Sequence, residues 1–307
     1  MSTTDAASTP SAGACAPPAE KGPDAPKKQS AFQQVKPFLA PLLITCILAG
    51  GQYHYGILET ADEGFRISGT AVAIVSSILF EIVVGWLVTG AVPHLASAYI
   101  TGISVGILLR SNELFYYAIC SLLSNASKYA IRVNDRHLFN PSNLGVSLLL
   151  LIAPNEVAPL SLQWGNDIWV PIIILCLGSV ILFTLGRLHI TATYVAAFAV
   201  LSVVRSIVID NPLATELGVL TAPSYLLFIH FMITDPKTTP RTMARQIAVT
   251  IVVAVVETVL RLCRNSHAPY YALFIVFPIA NLVEIWWDGR EEPPDSPAPN
   301  ASESPAK

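Results

Sequence analysis

Long apolar runs alternate with brief polar connections along this chain. In order, the runs predict helices near 37–55, 69–92, 94–110, 114–133, 142–153, 168–186, 190–209, 216–233, 243–262 and 268–287. Most approach the roughly 20 residues that a helix rising 1.5 Å per residue needs to cross a hydrocarbon core about 30 Å thick. The runs show neither the two-residue period of a half-buried strand nor the narrow stripe of a soluble helix. The fifth run, about a dozen residues, is short for a span and is expected to be re-entrant or broken. The pattern predicts an all-α membrane protein of about ten transmembrane helices, without strands.

The ends differ in kind. Residues 1–31 and 291–307 are rich in Ala, Pro and Ser and hold no apolar run. They bury too little surface to offset ordering entropy and are expected to be disordered cytoplasmic tails. The first also lacks the apolar centre of a signal peptide. One membrane domain, 32–290, is expected between them.

Composition agrees: 53% of residues are hydrophobic and 13% charged, about half the charge of a soluble domain. The lipid bilayer is thus one partner, and a net charge of −3 argues against nucleic acid as another. With both termini inside the cell membrane, Lys128, Arg132, Arg136, Arg187, Lys237, Arg241 and Arg245 fall on inner segments. Only Arg66, Arg110, Arg205, Arg261 and Arg264 fall outside. Cytoplasmic loops carry such an excess of Lys and Arg.

An internal repeat is expected as well. "RHLFNPSNLGVSLLLLIAP" (136–154) and "RNSHAPYYALFIVFPIANLVE" (264–284) both run from a basic residue through His and Pro into a long apolar stretch, about 128 residues apart. Halves of about 36–155 and 166–288, five helices each, would be inverted relative to one another. Inverted repeats place their sites at the interface of the halves, often at broken helices.

Charges at membrane depth are costly and seldom face lipid. Glu81 sits in "SSILFEIVVGW" with no partner nearby in sequence. Glu257 has Arg261 four residues on, a spacing that suits an ion pair. Under the repeat Lys128 falls opposite Glu257, so these two could instead face one central cavity. His230 reads as a packing residue near a helix end. The five Cys and six His show no metal-ligand spacing, no metal site is expected, and no catalytic residue stands out.

The segment "HFMITDPKTTP" (230–240) ends the eighth run on an unusually polar turn. Asp235 before Pro236 suits Pro's preference for a non-helical predecessor, and Pro236 cannot continue a helix. Thr234 or Thr238 can take up freed backbone groups, and Thr239 and Thr242 are candidate caps for the ninth helix. This is either a well-capped inner turn or a turn that hydrogen-bonds a polar ligand through Thr234, Asp235 and Thr238. Asn140 and Pro141 would do the matching work in the first half.

"FMITDPKTTP", "LFNPSNLGVSLLLL" and "SAYITGISVGILLR" resemble three elements of the RnfD and NqrB membrane subunits of electron-transport complexes. "PYYALFIVFPIANLVEIW" is similar to their closing helix, and the resemblance covers about residues 36–288. It implies two inverted five-helix halves, partner subunits and flavin chemistry. Those subunits carry FMN on Thr of an S/T-G-A-T motif after the fifth span. The matching loop here, 153–169, has no such sequence, and the nearest string, "SGTA" at 68–71, is permuted and in another loop. A covalent flavin is not expected; noncovalent FMN or riboflavin is compatible with the retained turns. Lack of the attachment motif is similar to the UnbU group of enediyne-biosynthesis membrane proteins, which implies partner membrane or biosynthetic proteins. Three functions stay open: an electron-transport component, a transporter or channel without a redox cofactor, and a membrane scaffold for biosynthetic enzymes. The first would be a component rather than a stand-alone enzyme.

Overall fold

The computed structural model describes residues 41–42, 44–46, 49, 68–91, 95–133, 136–159 and 168–291. The expected tails and most of the first expected span lie outside the described residues. In chain order the elements are α1 (Gly69–Thr89), α2 (Ala96–Leu108), β1 (Leu109–Ser111), α3 (Leu114–Ala130), β2 (Arg132–Val133), β3 (Arg136–His137), α4 (Pro141–Ile152) and β4 (Val157–Pro159). Then come α5 (Trp169–Leu185), α6 (Leu188–Ile209), α7 (Leu213–Gly218), a 3-10 turn (Val219–Thr221), α8 (Pro223–Leu227), a π turn (Phe228–Met232), α9 (Met243–Leu262) and α10 (Ala268–Glu291).

Helix ends follow local chemistry. Ser68 of "SGTA" caps α1, its hydroxyl accepting from the Ala71 N–H at 3.0 Å. Asn140 and Thr242 cap α4 and α9 in the same way. Such side chains satisfy amides that the first turn leaves without a helical partner. Gly186 closes α5 at φ 67°, a left-handed conformation that glycine adopts without a Cβ penalty.

Among the described residues four helices are long and apolar enough to cross a membrane: Gly69–Val88, Leu188–Ile209, Met243–Leu262 and Ala268–Arg290. The pair Leu213–Thr221 and Pro223–Met232, bent by 63°, is either a fifth, broken span or a re-entrant loop. The ninth expected helix matches α9 residue for residue. Helices α2 to α5 have 13, 17, 12 and 17 residues, roughly 18–26 Å of rise. The fifth expected run is indeed short, but the break falls in the eighth. There Ala222 turns extended (φ −67°, ψ 131°) and Pro223 restarts the helix at its first position. Proline drives its predecessor out of the helical region and is itself at home at N1.

The expectation of no strands is corrected. β1 pairs antiparallel with β4, Arg110 opposite Ala158, and β2 pairs with β3, Arg132 opposite His137. These two- and three-residue ladders satisfy backbone groups just beyond helix ends, and they are too short to show a period.

Packing is reversed relative to a soluble protein. On α1, Val75, Leu79, Val83 and Trp86 point outward and are more than half exposed, while Ser77 and Glu81 are buried. On α10, Ile279, Val283, Trp286 and Trp287 are outward and Asn281 and Glu284 inward. Apolar exteriors around polar interiors suit a helical protein embedded in lipid. Inside, Tyr194, Phe198, Tyr225, Phe228 and Tyr270 form an aromatic cluster, with Phe198 and Tyr225 centroids 5.5 Å apart. Helix α1 packs on α2 and α3, and α3 on α4; α6 packs on α9, and α9 on α10.

Candidate functional site

The two turns singled out in the sequence touch. Asn140 Oδ1 accepts from the Asn143 N–H at 3.1 Å, which leaves its amide group free to turn across the fold. There Nδ2 donates to Asp235 Oδ2 at 3.3 Å and to the Met232 carbonyl at 3.5 Å. Asp235 also accepts from the Lys237 N–H at 3.1 Å and the Thr238 hydroxyl at 3.2 Å. The Thr234 hydroxyl donates to the His230 carbonyl, and Thr239 to that of Asp235 at 3.0 Å. Pro141 occupies the first turn of α4, where a missing N–H costs nothing. From α10, Asn281 Nδ2 ties the turns together by donating to the Leu138 and Thr238 carbonyls, at 3.2 and 2.9 Å. Burial pushes the Asp235 carboxyl above its ordinary range, and the Lys237 amide and Thr238 hydroxyl oppose that rise.

Beside the joined turns lies a cavity of about 560 Å³, lined by Arg132, Arg136, His137, Arg187, Lys237 and Arg241 among others. These residues come from three connections: α3–α4, α5–α6, and the segment that follows the broken span. Arg136 pairs with Glu284 and donates to the Thr239 carbonyl at 3.1 Å. Arg187 donates to the Thr239 hydroxyl. Glu284 also accepts from the Arg241 N–H at 2.9 Å and Arg245 at 3.1 Å, and Arg245 reaches Asp288 at 2.7 Å. Burial, aided by the charges of Lys237, Arg132 and Lys128, lowers the His137 pKa to about 4. Its Nδ1 is buried without a hydrogen-bond partner.

The charges expected at membrane depth form two separate clusters. Glu81 on α1 lies 3.7 Å from Lys128 on α3 and accepts from the Tyr129 hydroxyl at 2.9 Å. Lys128 donates to Asn125 Oδ1 at 2.7 Å, and Asn125 to Ser77 at 2.7 Å. Glu257 on α9 is fully buried; it accepts from Arg261 at 2.8 Å and from the Tyr194 and Tyr225 hydroxyls. Lys128 pairs with Glu81 and Glu257 with Arg261, and neither of the two cavities described here is lined by both Lys128 and Glu257. Each has a nearer partner of opposite charge, which at low dielectric outweighs a distant one. Glu257 instead sits beside a second cavity of about 200 Å³ lined by Arg205, Glu216, Arg261 and Arg264.

Reading the sequence missed Arg205, Glu284, Arg136 and Arg187 as members of these clusters. Arg205 is fully buried, pairs with Glu216 at 2.8 Å and lies over the Phe198 ring at 4.4 Å. Glu284 stands alone in "ANLVEIW" just as Glu81 does in its own helix, and was the available signal. Among the described residues no three His, Cys, Asp or Glu side chains gather as for a metal ion. The arrangement offers hydrogen bonds and positive charge to a ligand. No protein-family model and no curated protein sequence matches this chain.

Proposed function

We propose that the chain is a membrane-embedded component built on the two-halved scaffold of the RnfD and NqrB subunits, binding a flavin noncovalently at the joined turns. The observation that carries this is the hydrogen bond from Asn140 to Asp235, which unites two of the four segments on which the resemblance rests. The packing order supports the two halves, because α1–α3–α4 and α6–α9–α10 contact one another in the same sequence. The Asn140 amide, the Asp235 carboxylate and the Thr238 hydroxyl suit the polar edge of an isoalloxazine ring, and Arg136 and Arg187 suit a phosphate. About ten spans, cytoplasmic termini and partner membrane or biosynthetic proteins belong to the same proposal. The enediyne setting is carried by the resemblance alone.

A second reading, a carrier for a small anion, is favoured by the 63° break at Pro223, since transporter sites gather at discontinuous helices. Along its polar path through Glu81, Lys128 and Glu257, the Tyr194 and Tyr225 hydroxyls engage Glu257, with the Phe228 ring packed against theirs. An absorption and fluorescence scan of protein purified from flavin-replete cells, before and after denaturation, separates the readings. Flavin released on denaturation, and lost from Asn140→Ala and Asp235→Ala while both variants still fold, supports the redox reading. A colourless protein refutes it and leaves the carrier or the scaffold. Parallel loss of folding and binding in the variants makes the turn structural.

A further inference from the structure

The inner cavity has a charge composition that a positive-inside bias does not explain. That bias places Lys and Arg on cytoplasmic connections, where they are free to spread toward headgroups. Here Arg132, Arg136, Arg187, Lys237 and Arg241, from three connections, line one concave space, and among the described residues no carboxylate lines it. Among the described residues, three acids engage these cations or the turn beside them. Glu284 holds Arg136 and Arg245, Asp288 holds Arg245 and Arg241, and Asp235 is engaged by Asn140 and its own turn. Counting Arg245, six cations stand against three carboxylates among the described residues here.

The two inner guanidiniums are also positioned. Arg136 donates to the Thr239 carbonyl and Arg187 to the Thr239 hydroxyl, so both converge on one residue. The Asp235 backbone fixes that residue in turn, accepting from the Thr239 N–H at 3.1 Å. Guanidinium forks match the oxygens of a phosphate, and a side chain already held in place loses less entropy on binding. His137 adds a buried Nδ1 without a hydrogen-bond partner. About 560 Å³ is the size of a small organic ligand site, larger than an inorganic ion requires.

We infer that this cavity binds a phosphate ester, its charged head between Arg136 and Arg187 with Lys237 and Arg132 at the rim. The inference rests on the reading of this end as the ligand-binding end. It does not require flavin, since any phosphate ester provides the same head. Two sources supply that chemistry: a water-soluble phosphate ester, or the headgroup of an anionic lipid entering from the inner leaflet.

The test titrates inorganic pyrophosphate into the full chain in phosphatidylcholine nanodiscs by calorimetry, and repeats the titration in discs containing phosphatidylglycerol. Saturable binding is expected in the first, weakened about tenfold in Lys237→Ala/Arg132→Ala and by added salt, as for exposed charges. Arg264→Ala, at the second cavity, leaves it unchanged. Binding that persists in phosphatidylglycerol assigns a soluble ester; binding suppressed there assigns a lipid headgroup. No saturable heat in phosphatidylcholine, or equal affinity in the rim double variant, overturns the inference. Flavin retained without pyrophosphate binding sinks this inference alone, and pyrophosphate binding by a colourless protein sinks the flavin reading alone.

Discussion

Replacing Glu257 with Gln tests whether the charges inside this fold are structural. The carboxylate is fully buried and accepts from Arg261, Tyr194 and Tyr225. Gln keeps the volume, removes the charge and places an N–H₂ donor where an acceptor is needed. At least one donor of the three therefore loses its acceptor on residue 257, and Arg261 loses its counter-charge. Breaking a buried pair by removing one partner costs roughly 3–5 kcal/mol. Arg261 retains 22% side-chain exposure at the second cavity, so water compensates part of the loss and the low end applies, about 3 kcal/mol. That corresponds to a fall of roughly 6–12 °C in melting temperature, measured on detergent-purified protein by tryptophan fluorescence. The double variant Glu257→Gln/Arg261→Gln is expected to lose less than the two single losses combined, because each single change strands the other group. An unchanged melting temperature in Glu257→Gln refutes the reasoning and moves Glu257 from structure to a substrate path.

Two further outcomes follow from packing and titration. A Cβ on Gly145 would meet Ser124 Oγ at 2.2 Å and the Cys120 carbonyl at 2.6 Å, so Gly145→Val should force α3 and α4 apart; the same thermal assay is expected to show a loss of about 1–3 kcal/mol. His137 has its pKa lowered from 6.5 to about 4, so its contribution is present above 6.5 and is lost as pH falls toward 4. Replacing it with Gln should therefore flatten the stability profile between those values, and an unaltered profile would contradict the assignment.

Much of the helix layout was legible because lipid imposes a length on an apolar run. Met243–Leu262 was readable to the residue, with Thr242 as its cap. The break at Pro223 was less visible, since Leu213 to Ile233 is apolar nearly throughout and only "TAP" marks the bend. Strands β1 and β4 could not be read, because three residues show no period and their pairing spans 50 positions from Leu109 to Pro159. The partners of Glu81 were hidden for the same reason: Lys128 and Tyr129 lie on another helix. The basic cavity was present only as scattered inner cations. Each satisfied the charge rule singly, and their convergence depends on how three connections pack.

The central claim is that the connections holding Arg132, Arg187 and Lys237 share the inner membrane end, while Arg264 lies at the other. It is tested by labelling single-cysteine variants Arg132→Cys, Lys237→Cys and Arg264→Cys, with the native cysteines replaced, using a membrane-impermeant maleimide. Positions 132 and 237 are expected to label in inverted vesicles alone, and position 264 in right-side-out cells alone. Labelling of 132 and 237 from opposite sides would contradict the shared mouth, and with it the site built there.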